Sequence, residues 1–400
     1  MRIERLYADG FRNLSAFELH PHPRFNILEG GNGQGKTNVL EALYVVGGLR
    51  SFRTTRLSEC ITFDRDGGAV AARVERQGSH SDLGVELARK RTKAFVDGKS
   101  IGRGSDYLGR MTVVLFSTED LRLPGGEPVA RRRYLDRTIF NHHAGHIDSM
   151  RRYDKSLAQR NALLRGAQGR QIDLSLLEVL DEMVADSGAV LSHQRSQFVE
   201  HFGRDVAEHF SELAEAGLSA GLRYRCKGRV DDEMGIEQRR TALSEELFEG
   251  RERDRRRGFT GSGPHLDDLV LMMGDRPAKT HASQGQCRAL ILAMKIAEIR
   301  SLEKRLSETP ILLMDDVSSE LDRKRNQALM SHLDALGGQV FLTTTDTQHV
   351  ALTAPRSVFH MLAGALISQH DVGAEELSEL VVFESNEGQK KLDACPPGGG

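Results

Sequence analysis

Four hundred residues are more than one hydrophobic core usually serves, which implies two or three folding units. The 55 Lys plus Arg nearly balance 57 Asp plus Glu, so no global field announces a nucleic-acid partner, and no apolar run nears the roughly 18 residues of a membrane span. A charged start (Arg2, Glu4, Arg5) and four scattered cysteines without CxxC spacing (Cys60, Cys226, Cys287, Cys395) argue against secretion, a disulfide frame or a zinc site, leaving a soluble cytoplasmic protein as the expectation.

The first forty residues read as short strands broken by turns. Residues 25–28 (Phe-Asn-Ile-Leu) form an apolar strand, and an amphipathic helix presents Val39, Leu40, Leu43 and Val46 on one face. Between them, Gly30-Gly31-Asn32-Gly33-Gln34-Gly35-Lys36-Thr37 matches GxxxxGK[ST] in full, in the strand–loop–helix setting that motif requires. Its glycines let successive backbone N–H groups curl around phosphate oxygens, and the helix N-terminus adds positive potential. In this motif Lys36 reaches the β- and γ-phosphates of ATP, and the Thr37 hydroxyl ligates Mg²⁺.

β-like runs follow over 68–97, then a buried strand over 111–116. After Pro124-Gly125-Gly126 the pattern turns helical. Residues 121–170 hold eleven basic and four acidic side chains, a net of +7; residues 171–220 hold two and ten, a net of −8. The basic stretch suggests an arm, and the acidic block reads as a solvated helix face. From Leu176 to Leu213 apolar residues recur at helical spacing, as one long helix or as a pair bending near Gly188. His142, His143 and His146 have metal-compatible spacing but no carboxylate motif beside them, and read as surface histidines. Arg131-Arg132-Arg133 and Arg151-Arg152 either face DNA phosphates or pair with acids such as Asp136 and Asp154. The arginine-rich run 251–257 suggests a hinge between arm and head, and for Arg53 a nucleotide contact and its absence stay equally open.

Strand patterns return over 265–273, with His265, Asp267 and Asp268 read as a strand-entry turn rather than a metal site. Ser283-Gln284-Gly285-Gln286 opens a helix, where Ser283 is a natural N-cap. The apolar strand 311–314 then delivers Asp315 and Asp316 at its C-terminal edge, where parallel sheets bind ligands. Asp315 is placed to hold Mg²⁺ and Asp316 to polarise an attacking water. Adjacent carboxylates repel, so a cation is needed to keep both charged. Another strand spans 340–342. From Gln369 onward seven acidic residues face two basic ones before a Pro-Pro-Gly-Gly-Gly end, and the tail 368–400 is expected to be disordered.

Taken together, the phosphate loop, the Asp pair, Ser283–Gln286 and the segment Ser318-Ser319-Glu320-Leu321-Asp322 resemble the ABC-type ATPases. In that family Ser283–Gln286 corresponds to the signature motif, which contacts the γ-phosphate held by the other subunit, and 318–322 to the D-loop. Further motifs narrow the likeness: Phe11-Arg12-Asn13-Leu14, Leu40-Glu41-Ala42, Ser51-Phe52-Arg53, Arg132–Asp136, Gln159–Leu164 and Gly263–Asp268. From Met1 to about Ile367 the chain resembles the RecF family of bacterial recombination mediators. The resemblance implies an α/β ABC-type P-loop ATPase head with an inserted α-helical arm, divided as 1–122, 123–257 and 258–367. It also implies an ATP-driven homodimer, binding to gapped DNA and single-strand/duplex junctions, slow hydrolysis, and cooperation with RecR and RecO in placing RecA during repair, replication and the SOS response. Departures from the family pattern are Thr118 in place of a proline, Leu266 in place of an arginine, and Thr343-Thr344-Thr345-Asp346 where transporter ATPases have a histidine. No glutamine occurs at 116–121 to position water, and position 316 is Asp rather than Glu, so slow turnover is expected. A chromosome organiser would need hundreds of heptad residues, and a transporter subunit a membrane-coupling surface.

Overall fold

The computed structural model describes residues 1–166, 172–214, 217–317, 323–335, 337–345, 350, 352 and 354–372. Contacts divide the chain into two units: Met1–Thr118 with the residues from Leu306 onward, and Glu119–Arg305.

The first unit holds two six-stranded sheets. One is antiparallel in the order β2 (Phe17–Leu19), β1 (Arg2–Asp9), β4 (Gly67–Arg76), β5 (Ser79–Ala88), β6 (Lys93–Val96) and β7 (Lys99–Ile101). The other runs β15 (Ala365–Val372), β14 (Arg356–Leu362), β3 (Phe25–Glu29), β13 (Val340–Thr344), β12 (Ile311–Asp315) and β8 (Val113–Ser117), parallel except for β15. Strands β3, β8, β12 and β13 are short apolar runs buried nearly throughout, as a parallel sheet covered on both faces demands. Helix α1 (Lys36–Gly48) packs against strands of both sheets and is buried along almost its whole length. Its Gly47 admits no side chain, because a Cβ there would lie 2.7 Å from Val113 Cγ2. Helix α9 (Arg323–Ala335) precedes β13.

The second unit is mostly helical. After α2 (Thr118–Leu121) come α3 (Pro128–His142), α4 (His146–Gly166), α5 (Leu174–Leu213), α6 (Ile236–Arg257), α7 (Ala278–His281) and α8 (Gln284–Leu306), with a small antiparallel sheet of β11 (Arg276–Pro277), β10 (Asp268–Met273) and β9 (Ala220–Arg225). The helical spacing from Leu176 resolves as one continuous helix, capped by Asp173, which accepts from the Ser175 and Leu176 N–H groups. Gly188 marks no break there. A Cβ would sit 2.8 Å from Leu243 and 3.2 Å from Tyr153, so glycine lets α6 and α4 approach. Leu243, Leu247, Val184, Leu191 and Tyr153 form the core of this contact.

Several sequence expectations change. Residues 258–305 group by contacts with the helical residues before them: β10 pairs with β9, and Glu298 and Ser301 of α8 bond Asn141 and His142 of α3. The run 251–257 is simply the last two turns of α6, stopped at Gly258 with φ 75°; Arg251 donates to Asp181 at 2.6 Å. His142 and His146 are buried rather than on the surface: His142 bonds the Thr138 carbonyl and Ser301, and His146 bridges Asp136 and Gln194. The segment from 368 opens inside a strand, since β15 pairs with β14 through Val372. Residues beyond 372 lie outside the described residues.

Candidate nucleotide site

Register explains how distant motifs meet. Along the parallel sheet Thr343 stands opposite both Leu28 and Asp315, and Asp315 opposite Ser117, so β3, β13, β12 and β8 end along one edge. The loop Gly30–Gly35 leaves β3 at that edge and leads into α1, whose N-cap Gly35 has φ 104°. Gly30 (φ 153°) and Gly33 (φ 79°) also take conformations that a side chain would strain.

The candidate side chains converge. The Thr37 hydroxyl donates to Asp315 Oδ1 at 2.7 Å. Thr343 donates to the same oxygen at 3.0 Å and accepts the Asp316 N–H at 2.9 Å. Asp316 itself has φ 53°, so the chain turns sharply just where the strand ends. Lys36 Nζ donates to the carbonyls of Gly30 (2.6 Å) and Gly31 (2.8 Å). Burial lowers the Lys36 pKa, and the charges of Asp316 and Asp315 oppose that shift. A cation curled inside a cradle of N–H donors, with two carboxylates in its field, suits a polyphosphate.

Three of the motifs that carry the family resemblance, those of Arg12, Glu41 and Ser51–Arg53, meet in one cluster. Glu41 of α1 is fully buried. It accepts from Arg12 Nε (2.9 Å) and Nη2 (2.6 Å), from the Ser51 hydroxyl, and from Arg53 Nη1 at 3.4 Å. Desolvation would raise the Glu41 pKa, but the bonds and charges of Arg12, Ser51 and Arg53 win and lower it. Burial and the same carboxylate push the neighbouring Cys60 thiol up to about 12. Arg53 also donates to Asn38 Oδ1 at 2.7 Å, so its guanidinium is held beside the first turn of α1. Glu41 lies on the side of α1 opposite Val39, Leu43 and Val46, and that side is buried as well.

In the second unit Ser283 and Gln286 cap α8 reciprocally: the Ser283 N–H donates to Gln286 Oε1 (2.8 Å), and the Gln286 N–H donates to Ser283 Oγ (3.2 Å). Ser283 and Gln284 are exposed, and Gly285 is half-buried. The segment 318–322 and Asp346 lie outside the described residues. Asp120 is buried against Arg137 (2.6 Å) and Lys295 (3.4 Å). Arg131 forks onto Asp268 at 2.8 Å on both nitrogens, and Arg132 donates to the Asp267 carbonyl. Asp136, expected beside them, is instead gripped by Arg195 and His146, which hold its carboxyl down to about 2 against the pull of burial. Arg133 and Arg152 remain exposed. His265 accepts from or donates to Tyr153 at 2.6 Å, and Asp267 accepts from Tyr224, so the 263–268 segment is a hydrogen-bonded turn.

A phosphate loop after β3, an Asp pair at the end of β12 and a largely helical unit inserted between β8 and β12 define an ABC-type P-loop ATPase head. Residues 2–364 match the family described as the RecF/RecN/SMC N terminal domain. DNA replication and repair protein RecF of Anaeromyxobacter dehalogenans is 40% identical over 373 residues, covering 92% of this chain and 99% of the relative. The RecF protein of Myxococcus xanthus is 40% identical over 348 residues, covering 86% and 91%. A solved structure of the recombination mediator protein RecF-ATPrS in the RecFOR pathway superposes with a TM-score of 0.83 at 28% identity, covering 91% of this chain and 97% of that one. The Smc head domain of Pyrococcus furiosus shares the fold, with a TM-score of 0.50 at 15% identity over 96% and 99% of the chains. The chain belongs to the RecF family of DNA replication and repair proteins. Among the described residues no helix is long and apolar enough to cross a membrane.

Proposed function

We propose that this chain is an ATP-gated, DNA-binding recombination mediator whose slow hydrolysis resets it. The observation that carries the proposal is the 2.7 Å bond from Thr37 to Asp315, which brings the two motifs of a hydrolytic nucleotide site to one point. A hydroxyl and a carboxylate are hard oxygen donors of the kind Mg²⁺ prefers, so Thr37 and Asp315 fit that ion, which when bound would neutralise charge on the β- and γ-phosphates. The backbone N–H groups of Gly31 to Thr37 cradle the polyphosphate. Lys36 exchanges the Gly30 and Gly31 carbonyls for phosphate oxygens, and Asp316 orients the attacking water. Ser283, Gln284, Gly285 and Gln286 of a second copy close over the γ-phosphate, so ATP joins two heads into a homodimer. By its family and its exposed arginines the dimer takes gapped and single-stranded DNA, and acts with RecR and RecO to place RecA in repair, replication and the SOS response, in the cytoplasm at the nucleoid.

Two measurements test this. Sizing with ATP, with ADP and without nucleotide should give dimers only with ATP. Turnover should be slow and should rise on gapped DNA. A chain that stays monomeric under all three conditions would overturn the homodimer and the gating it provides.

A further inference from the structure

Two carbonyl groups of the phosphate loop are tied down from outside the loop. Asn13 Nδ2 donates to the Gly33 carbonyl at 3.3 Å, and the Gly364 N–H donates to the Gln34 carbonyl at 2.9 Å. A trans peptide unit is planar, with its C=O and N–H pointing in opposite directions. Holding these two carbonyls outward therefore turns the N–H groups of Gln34 and Gly35 inward, to the side where a phosphate would sit.

Both tethers are themselves fixed. Asn13 Oδ1 accepts from Asn38 Nδ2 at 2.6 Å, and Asn13 follows Arg12, whose backbone sits at φ 54° with its guanidinium clamped on Glu41. Gly364 belongs to the turn between β14 and β15, beside Ala363, whose N–H donates to Gln34 Oε1. The Gly364 carbonyl accepts the Ser15 N–H at 3.0 Å, linking this turn to the loop that carries Asn13. Only glycine serves at 364: φ is 81°, and a Cβ would lie 1.9 Å from the Asn13 carbonyl oxygen. No motif of the phosphate loop includes either residue, and more than three hundred positions separate them in the chain.

We propose that Asn13 and the Ala363–Gly364 turn are positioning residues for nucleotide binding, aiming the Gln34 and Gly35 amides at the phosphates. The proposal rests on the nucleotide-site reading above and deepens it. Misaimed amides weaken ground-state and transition-state binding alike, which raises KM and leaves kcat in place. General loss of fold does the opposite, lowering the active fraction at constant KM.

The test uses the full chain and its ATP turnover on gapped DNA. Asn13→Asp keeps the shape and the acceptor for Asn38 but has no donor for Gly33; Gly364→Ala cannot keep the turn. Each should raise KM for ATP about tenfold, with kcat within about twofold of the parent. An unchanged KM, or a fall in kcat alone, overturns the proposal. If Gly364→Ala does not fold, Asn13→Asp decides. Lys36→Met separates the two levels: if it binds ATP like the parent chain, the nucleotide site itself is misassigned, whereas normal loss there with a parental KM in Asn13→Asp refutes only the positioning role.

Discussion

In the proposed nucleotide site Lys36 and Asp316 have opposite duties. Lys36 is buried and donates to the Gly30 and Gly31 carbonyls, which a phosphate can replace. Lys36→Met should leave the fold intact and remove ATP-driven dimerisation, read by sizing at matched protein concentration; wild-type pairing would refute the assignment. Asp316 sits at the strand end in a left-handed backbone, next to the carboxylate that Thr37 holds. Asp316→Asn should bind ATP normally, hydrolyse it about 10²–10⁴ times more slowly, and stay longer on DNA. Single-turnover rates decide it. Unchanged turnover would move the base to Glu119, since Asp120 is already neutralised by Arg137 and Lys295.

Among the elements, those with strong periodicity were legible in sequence: β3, α1, β12 and β13 all stand where their apolar patterns put them. The meeting of Thr37 with Asp315 was legible too, because a loop that leaves one strand and an acid that ends another share the same edge of a parallel sheet. What escaped were features that only packing decides. Glu41 and its two arginines lie on three segments that become neighbours only when α1 is enclosed between two sheets. The grouping of α8 with α3 rests on the bonds of Glu298 and Ser301 to Asn141 and His142, and no composition shift announces it. His142 and His146 look like any surface histidines until α5 covers them. Burial lowers the pKa of His142, against the bond to Thr138 and the charge of Glu298 and with that of Arg305 and His143; it lowers that of His265 as well. A group held neutral this way contributes stability that is complete above its unfolded value of 6.5 and is lost as pH falls through the lower folded value. Asp136, already ionised down to about 2, adds nothing to that window. The melting temperature should therefore drop between about pH 7 and pH 5, and His142→Gln should flatten part of the drop. An identical slope in the variant would show that His142 does not titrate on unfolding.

For the whole molecule the proposed clamp is composite, with the phosphate loop of one copy facing Ser283–Gln286 of another in a symmetric, isologous pair. Ser283→Arg removes the exposed cap oxygen and places a bulky cation at the approach, so each copy should still bind ATP while dimers fail. Mixed with Lys36→Met, one of the two sites regains an intact loop and an intact signature, and partial ATP-dependent pairing should return. DNA retention should follow pairing, with a steeper salt dependence as more phosphates are neutralised. If Ser283→Arg pairs and holds DNA like the parent, the motif is a helix cap and no more. The strand order also dictates a timetable for biosynthesis. Strand β3 is made among the first thirty residues, yet its two sheet neighbours are β13 and β14, both made after residue 339. At about 5–20 residues per second a ribosome needs roughly 15–70 s to supply them. The inserted unit, continuous from Glu119 to Arg305, can close during that wait, while the strand that leads into the phosphate loop waits with both edges open and in need of protection from aggregation.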